Sequence, residues 1–228
     1  MNSFEQQENF LIGSKHDIEE LAKKPSARFL IISDSHENED AIFDILDNFG
    51  ADCDALIFCG DGCLDFFAYF EKAKLDSKMQ ENLPGVIALV HGNCDSEEYT
   101  SYYEENDGIT EKKTIFPEKI LFTAANRQIF VTHGQNYGVN HNTDFLVSAT
   151  LDFNADFIFY GHSHVAKWEE VNGILVLNPG SCTLPRGIPY PTFAIVEFPA
   201  VTERFEIHFF AIETNAFGKN SFFRINLD

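Results

Sequence analysis

Basic residues are scarce in this chain of 228 residues: 16 Lys+Arg stand against 36 Asp+Glu, a formal net charge of −20. Such an excess repels phosphate backbones and anionic lipid surfaces, so neither polymeric nucleic acid nor a membrane is expected as a partner. Cysteine is sparse and odd in number, five in all at positions 53, 59, 63, 94 and 182, with no C-x-x-C pair. That pattern supports neither a disulfide framework nor a thiolate zinc site. No apolar run approaches the ~20 residues of a membrane helix. The opening MNSFEQQENF has no basic segment ahead of an apolar one, so no secretory signal is expected. Together these absences set the expectation of a reducing cytoplasm. Repeats, low-complexity tracts and Gly/Ser/Pro linkers are also missing, which predicts one domain rather than several.

What is present is a 44 % share of hydrophobic residues, enough for a sizeable core. Residues 1–27 are polar and read as an N-terminal appendage, with a short helix from Ser14 to Lys24 carrying Ile18 and Leu21 at helical spacing. Residues 28–228 read as the main domain. Three continuous apolar runs, Arg28 to Ser33, Ala55 to Cys59 and Gly85 to Val90, alternate with helical patterns at Asp40 to Phe49 and Cys63 to Leu75. Runs of that kind are strands buried on both faces, and the alternation predicts a parallel sheet. Further on, strands are predicted at Ile115 to Ala124, Gln128 to Thr132, Phe157 to Tyr160, Gly173 to Leu177, Thr192 to Phe198 and Glu203 to Ala211, with one helix at Asn142 to Asp152. The expected class is α/β: a mixed sandwich with a parallel first half and a more antiparallel second half.

The informative feature is where the polar residues fall. Ligands bind open α/β sheets at the carboxyl ends of strands. Five predicted strands here end in residues that bind metals: Asp34-Ser35-His36, Gly60-Asp61, Gly92-Asn93-Cys94, His133-Gly134 and Gly161-His162-Ser163-His164. Imidazole with carboxylate suits Mn, Fe, Ni or Zn. In Asp-x-His and His-x-His, alternate side chains leave an extended strand on one side, which puts two ligands on one loop. Any one of these short motifs is ordinarily a turn or a cap. The ordered set of five is a far stronger signal.

Asp34-x-His36, Gly60-Asp61, Gly92-Asn93, His133 and Gly161-His162-x-His164 resemble the signature of the calcineurin-like metallophosphoesterases. Asn178-Pro179-Gly180-Ser181 and Pro185-Arg186 resemble its small YfcE-like branch, whose fold the retromer subunit VPS29 shares. The resemblance implies a four-layer α/β/β/α sandwich of two mixed sheets flanked by helices. It implies two divalent transition-metal ions, Mn2+ first, with Fe, Ni or Zn as alternatives. Asp34, His36, Asp61 and His164 would hold one ion and Asp61, Asn93, His133 and His162 the other. The implied reaction is hydrolysis of a small phosphodiester, with in-line attack by a hydroxide bridging the two ions. A phosphomonoesterase and a VPS29-like interaction scaffold are the alternatives, the latter because Phe-Phe pairs at 66–67, 209–210 and 222–223 would mark an interface if exposed. The same pairs would also suit a homo-oligomer.

The third motif departs from the family pattern. Many members carry His after Gly-Asn, a residue that helps the leaving group depart, and this chain has Cys94. A thiol is a weak donor, so the leaving-group acid is unassigned; His91 is an alternative for it, and His141 lies in a polar loop, Gln135 to Thr143, that would reach over the site. Arg186, whose guanidinium matches phosphate geometry, is a further candidate for substrate contact.

Overall fold

The structure is a computed structural model and describes residues 2–105, 108–198 and 205–227. The β-α-β-α-β rhythm is realised as β1 (Ala27–Ile32), α2 (Glu39–Phe49), β2 (Ala55–Phe58), α3 (Cys63–Ala73) and β3 (Val86–Leu89), preceded by α1 (Lys15–Lys23). Ser14 caps α1 by accepting from the Asp17 N–H, which satisfies one of the helix's unpaired donors. A short α4 (Ser77–Glu81) lies between α3 and β3, and a hairpin of β4 (Glu98–Glu105) and β5 (Gly108–Ile115) follows. The remaining elements are β6 (Lys119–Ala124), β7 (Arg127–Thr132), α5 (Asp144–Thr150), β8 (Phe157–Phe159), β9 (Lys167–Val171), β10 (Ile174–Asn178), β11 (Thr192–Phe198), β12 (Glu206–Thr214) and β13 (Asn220–Ile225).

Two sheets result. One has the order β13-β12-β11-β1-β2-β3 and the other β6-β7-β8-β10-β9. In the first, β1, β2 and β3 are mutually parallel while β11 runs antiparallel to β1. The period-2 alternation of strand side chains explains the layering. Phe29 and Ile31 of β1 point into a core shared with Val131, Phe159 and Leu177 of the second sheet. Leu30 and Ile32 point the other way, onto Ile42, Ile45 and Phe66 of α2 and α3. On the far side of the second sheet, Phe130, Ile158 and Val176 pack against Leu146 and Val147 of α5. Helix, sheet, sheet and helix are thus glued by three successive apolar layers, as a four-layer α/β/β/α sandwich requires. Phe29 spans the inter-sheet layer, edge-on to Phe159 and Phe198 at centroid separations of 6.4 and 4.9 Å. A fully buried aromatic of that kind contributes about 1.5–3 kcal/mol by burial alone.

Several boundaries differ from the sequence expectation. The run from Ile115 to Ala124 is broken by Pro117, which ends β5 and lets β6 start at Lys119. The strand expected from Glu203 begins at Glu206, and positions 203 and 204 lie outside the described residues. The polar N-terminal segment is not a free appendage. Leu11 and Leu21 enter the inter-sheet core and Ile12 enters the helix-side core, while Ile12 exchanges backbone hydrogen bonds with Ile87 at 2.9 Å along the edge of β3. Among the described residues no helix is long and apolar enough to cross a membrane.

The Phe-Phe pairs are largely internal. Phe66 and Phe209 are buried in the core clusters, and Phe67, Phe210 and Phe222 pack against them. Phe223 alone of the six is classed as exposed, and it meets Tyr190 edge-on at 5.3 Å.

Candidate metal centre

The loops after β1, β2, β7 and β8 meet at one edge. Asp34, His36, Asp61, His162 and His164 all adopt positive φ, between 45° and 64°. The extended alternation expected of Asp-x-His and His-x-His is therefore not how these side chains converge. Each of these five sits in a left-handed kink, a conformation that costs an L-residue about 1–2 kcal/mol. Strain of this kind persists only where the surroundings over-determine it, and it gathers at functional sites. Two glycines let the loops close together. Gly60 has φ of 91°, and a Cβ on Gly92 would lie 2.1 Å from Asp61 Oδ1.

The kinks aim nitrogen and oxygen atoms at one small volume. Asp34 Oδ1 lies 3.2 Å from His164 Nε2, 3.8 Å from His36 Nε2 and 4.0 Å from His133 Nε2. Asp61 Oδ2 lies 3.3 Å from His133 Nε2 and 3.9 Å from His36 Nε2. His36 Nε2 and His164 Nε2 are 3.0 Å apart. Asp34 Oδ1 and His133 Nε2 are buried and without a hydrogen-bond partner. A buried polar atom left unpaired costs roughly 1–3 kcal/mol, and two of them facing one point fit a cation that accepts lone pairs from both. Three overlapping groups could hold such an ion: Asp34, His36 and His164; Asp34, Asp61 and His133; and His36, Asp61 and Cys94. All are oxygen, nitrogen or sulfur donors that suit a divalent transition metal.

The surrounding shell fixes the imidazoles. His133 Nδ1 faces Cys59 O at 2.6 Å and His164 Nδ1 faces Leu184 O at 2.7 Å. A ring whose Nδ1–H is donated to a carbonyl keeps its Nε2 lone pair for a metal. Electrostatics without a metal are consistent with this crowding. Burial raises the Asp61 carboxyl, but the neighbouring His133 imidazole and the Cys94 N–H outweigh it and hold the group below the usual carboxylate range. Burial lowers His133, yet Asp61 and Asp34 together raise it above the ordinary imidazole value. His164 is likewise depressed by burial and raised more by Asp34. His162 is lowered, by burial and then by the charge of His133.

The remaining sequence candidates lie at the rim. His162 is half-buried and its Nε2 faces Asn140 Nδ2 at 3.1 Å, while its ring meets that of His133 edge-on at 5.2 Å. Asn93 is exposed and donates to Cys94 Sγ at 3.3 Å. Cys94 is also exposed. Burial and the neighbouring Asp61 charge push its thiol up to about 11, so it stays protonated at neutral pH. Arg186 is exposed on the His164 side: its N–H donates to His164 O at 3.0 Å, and its positive charge lowers the His164 imidazole. His91 is half-buried with Nδ1 at 3.2 Å from Gly92 O, and His141 is exposed. Neither belongs to a metal-capable group among the described residues.

Three positioning residues were not singled out for that role from the sequence. The Asp95 carboxylate accepts from the backbone N–H of Asp61, Gly62, Cys63 and Gly92 at 2.7, 2.9, 2.8 and 2.8 Å. It locks the second and third ligand loops to each other, and an acidic side chain one residue past Gly-Asn-Cys was the available signal. Ser181 donates to Asp34 O at 2.6 Å and accepts from the Thr183 and Leu184 N–H groups. Asn178 donates to Gly161 O at 2.7 Å and accepts from the Gly180 N–H. The Asn-Pro-Gly-Ser turn therefore braces the first and last ligand loops.

Known proteins resemble this chain in sequence and in fold. The chain is 33 % identical over 180 residues to the probable metallophosphoesterase YsnB of Bacillus subtilis, covering 77 % of this chain and 88 % of that one. It is 31 % identical over 153 residues to the phosphodiesterase MJ0936 of Methanocaldococcus jannaschii, covering 67 % and 82 %. The solved structure of Vacuolar Protein Sorting 29 from Cryptosporidium parvum superimposes with a TM-score of 0.61 over 88 % of this chain and 97 % of that one, at 18 % identity, a likeness of fold. Residues 28–200 match the calcineurin-like phosphoesterase superfamily domain, and this chain belongs to that family of metal-dependent phosphoester hydrolases.

Proposed function

We propose that this protein is a dinuclear metal-dependent phosphodiesterase acting on a small phosphodiester. In this reading Asp34, His36, Asp61 and His164 hold one ion and Asp61, Asn93, His133 and His162 the other. Asp61 serves both, since a carboxylate has two oxygens to offer. The observation that carries the reading is the pair of unpartnered buried atoms, Asp34 Oδ1 and His133 Nε2, facing one point among further donors. Two bound divalent ions supply an acidified water and positive charge for the phosphoryl oxygens. The chain's own part is to hold those ligands rigidly, through Asp95, Ser181 and Asn178, and to offer the Arg186 guanidinium at the rim. Asn93 and Cys94 lie where an incoming ester would pass. The protonated Cys94 thiol is a poor donor to a departing alkoxide, so diesters with good leaving groups are the favoured substrates. The resident ion is proposed as Mn2+, and the free thiols support the reading of a reducing cytoplasm.

Elemental analysis after reconstitution with Mn, Fe, Ni or Zn, followed by assays on bis-p-nitrophenyl phosphate and p-nitrophenyl phosphate, tests the reading. Two ions per chain and a clear preference for the diester are expected. One ion or none with full activity, or a preference for the monoester, overturns it.

A further inference from the structure

Beside the ligand cluster lies an open cleft of about 440 Å3. His36 and Asp61 form its inner end, and Glu37, Leu64, Ser96 and Tyr99 are among the residues that form its walls. Tyr99 is half-buried and held in a ring cluster, 5.4 Å from Phe67 and 5.2 Å from Phe116 between centroids. Leu64 is 57 % exposed, although it lies in the first turn of α3. Glu37 is exposed, and its carboxylate makes no hydrogen bond or ion pair among the described residues. By contrast, Asp95 is spent on four backbone N–H groups and Asp65 accepts from Ser35 Oγ at 2.5 Å. Among the described residues no lysine or arginine lines the cleft, and Arg186 does not border it.

The cleft therefore offers one exposed leucine, one half-buried tyrosine and the unpaired Glu37 carboxylate, and it borders the cluster through His36 and Asp61. We propose that it receives one ester arm of the substrate, and that it selects an apolar arm that is neutral or cationic over one bearing a negative charge. The proposal rests on the cluster being a phosphoester-hydrolysing metal centre. The physical grounds are burial of arm carbons against Leu64 and Tyr99, attraction of a cation to the Tyr99 ring, and repulsion of an anion by Glu37. A nucleotide or other phosphate-bearing arm is disfavoured by the same field.

Three arylphosphonates that differ in the charge of the para substituent test it: phenylphosphonate, 4-(trimethylammonio)phenylphosphonate and 4-carboxyphenylphosphonate. Their binding to the metal-loaded protein is measured by titration calorimetry, with inorganic phosphate as the probe of the centre itself. The trimethylammonio compound is expected to bind about tenfold more tightly than the carboxy compound, with phenylphosphonate between them. Glu37→Lys reverses that order, and Tyr99→Ala weakens phenylphosphonate about fivefold relative to inorganic phosphate. Glu37 is exposed, so its variant keeps the test available even if Tyr99→Ala does not fold. If phosphate binds but the three phosphonates bind equally, the cleft assignment is overturned and the metal centre stands. If neither metal nor phosphate binds, the centre fails and the cleft assignment falls with it.

Discussion

The two halves of the ligand cluster are built unequally. On one side Asp34 and His164 are buried, and the carbonyl of Leu184 and the hydroxyls of Ser33 and Ser181 hold that loop pair in place. On the other side His162 is half-buried against Asn140 and Asn93 is exposed with its amide on Cys94. Asp61 and His133 sit between the two, buried, with His133 Nε2 3.3 Å from Asp61 Oδ2. Folding alone organises the first half, because its donors are fixed by core packing. The second half is at the rim, where its donors satisfy one another and must be turned toward an occupant. In the proposed two-ion reading, the first ion would enter a preorganised cage and the second would bind at the cost of reordering side chains.

Removing the shared ligand breaks the comparison altogether. Asp61→Ala should abolish metal loading and lower kcat/KM by on the order of 10³-fold or more, as when one member of a concerted group is lost. Elemental analysis and a diester assay on the same preparation check this; full metal and full rate together would remove Asp61 from its place. The next largest effect compares the halves directly. His164→Ala should cost about 100-fold in affinity for the first ion, and His162→Ala about tenfold for the second, measured by stepwise metal titration. Equal losses would show that the rim is as preorganised as the core.

The pH dependence follows from the shifts. In metal-free protein His133 and His164 ionise above the ordinary value of 6.5. Their charged pairs with Asp61 and Asp34 therefore stabilise the fold fully below about pH 6.5 and lose that contribution as pH rises through the raised values. His162, shifted down, acts in the opposite sense and contributes less as pH falls. With two raised imidazoles against one lowered, the melting temperature of metal-free protein should drop from about pH 6.5 to 8, while metal affinity rises and binding releases protons. Scanning fluorimetry and proton release in weak buffer read these two slopes. The smallest effect is a gain: Cys94→His should raise turnover of diesters with alkyl leaving groups about tenfold, by supplying a stronger donor at the rim. No gain with metals bound would show that the rim does not protonate the leaving group.

Much of this was legible in the chain. Buried strands such as RFLII and ALIF announce themselves because both faces are apolar, and in the structure each feeds two core layers. The hairpin of β4 and β5 was missed because EYTSYYEE and its partner GITEKKTI are polar and charged, and pair mainly with each other. β9 and β13 were missed for a similar reason, being half-exposed strands at sheet edges. The Phe-Phe pairs suggested an exposed patch because sequence cannot say which face of a strand is covered. β12 and β13 place most of those rings against the core.

The order of the ligand residues and their position after apolar runs were fixed by the chain alone, because strand ends are where a parallel sheet leaves its loops. Burial, pairing and conformation were decided only in three dimensions. Long-range hydrogen bonds, such as Asp95 to the Asp61 loop and Ser181 to Asp34, hold left-handed kinks that no local preference favours. They join residues 34 and 147 positions apart, a relation that no window along the sequence contains.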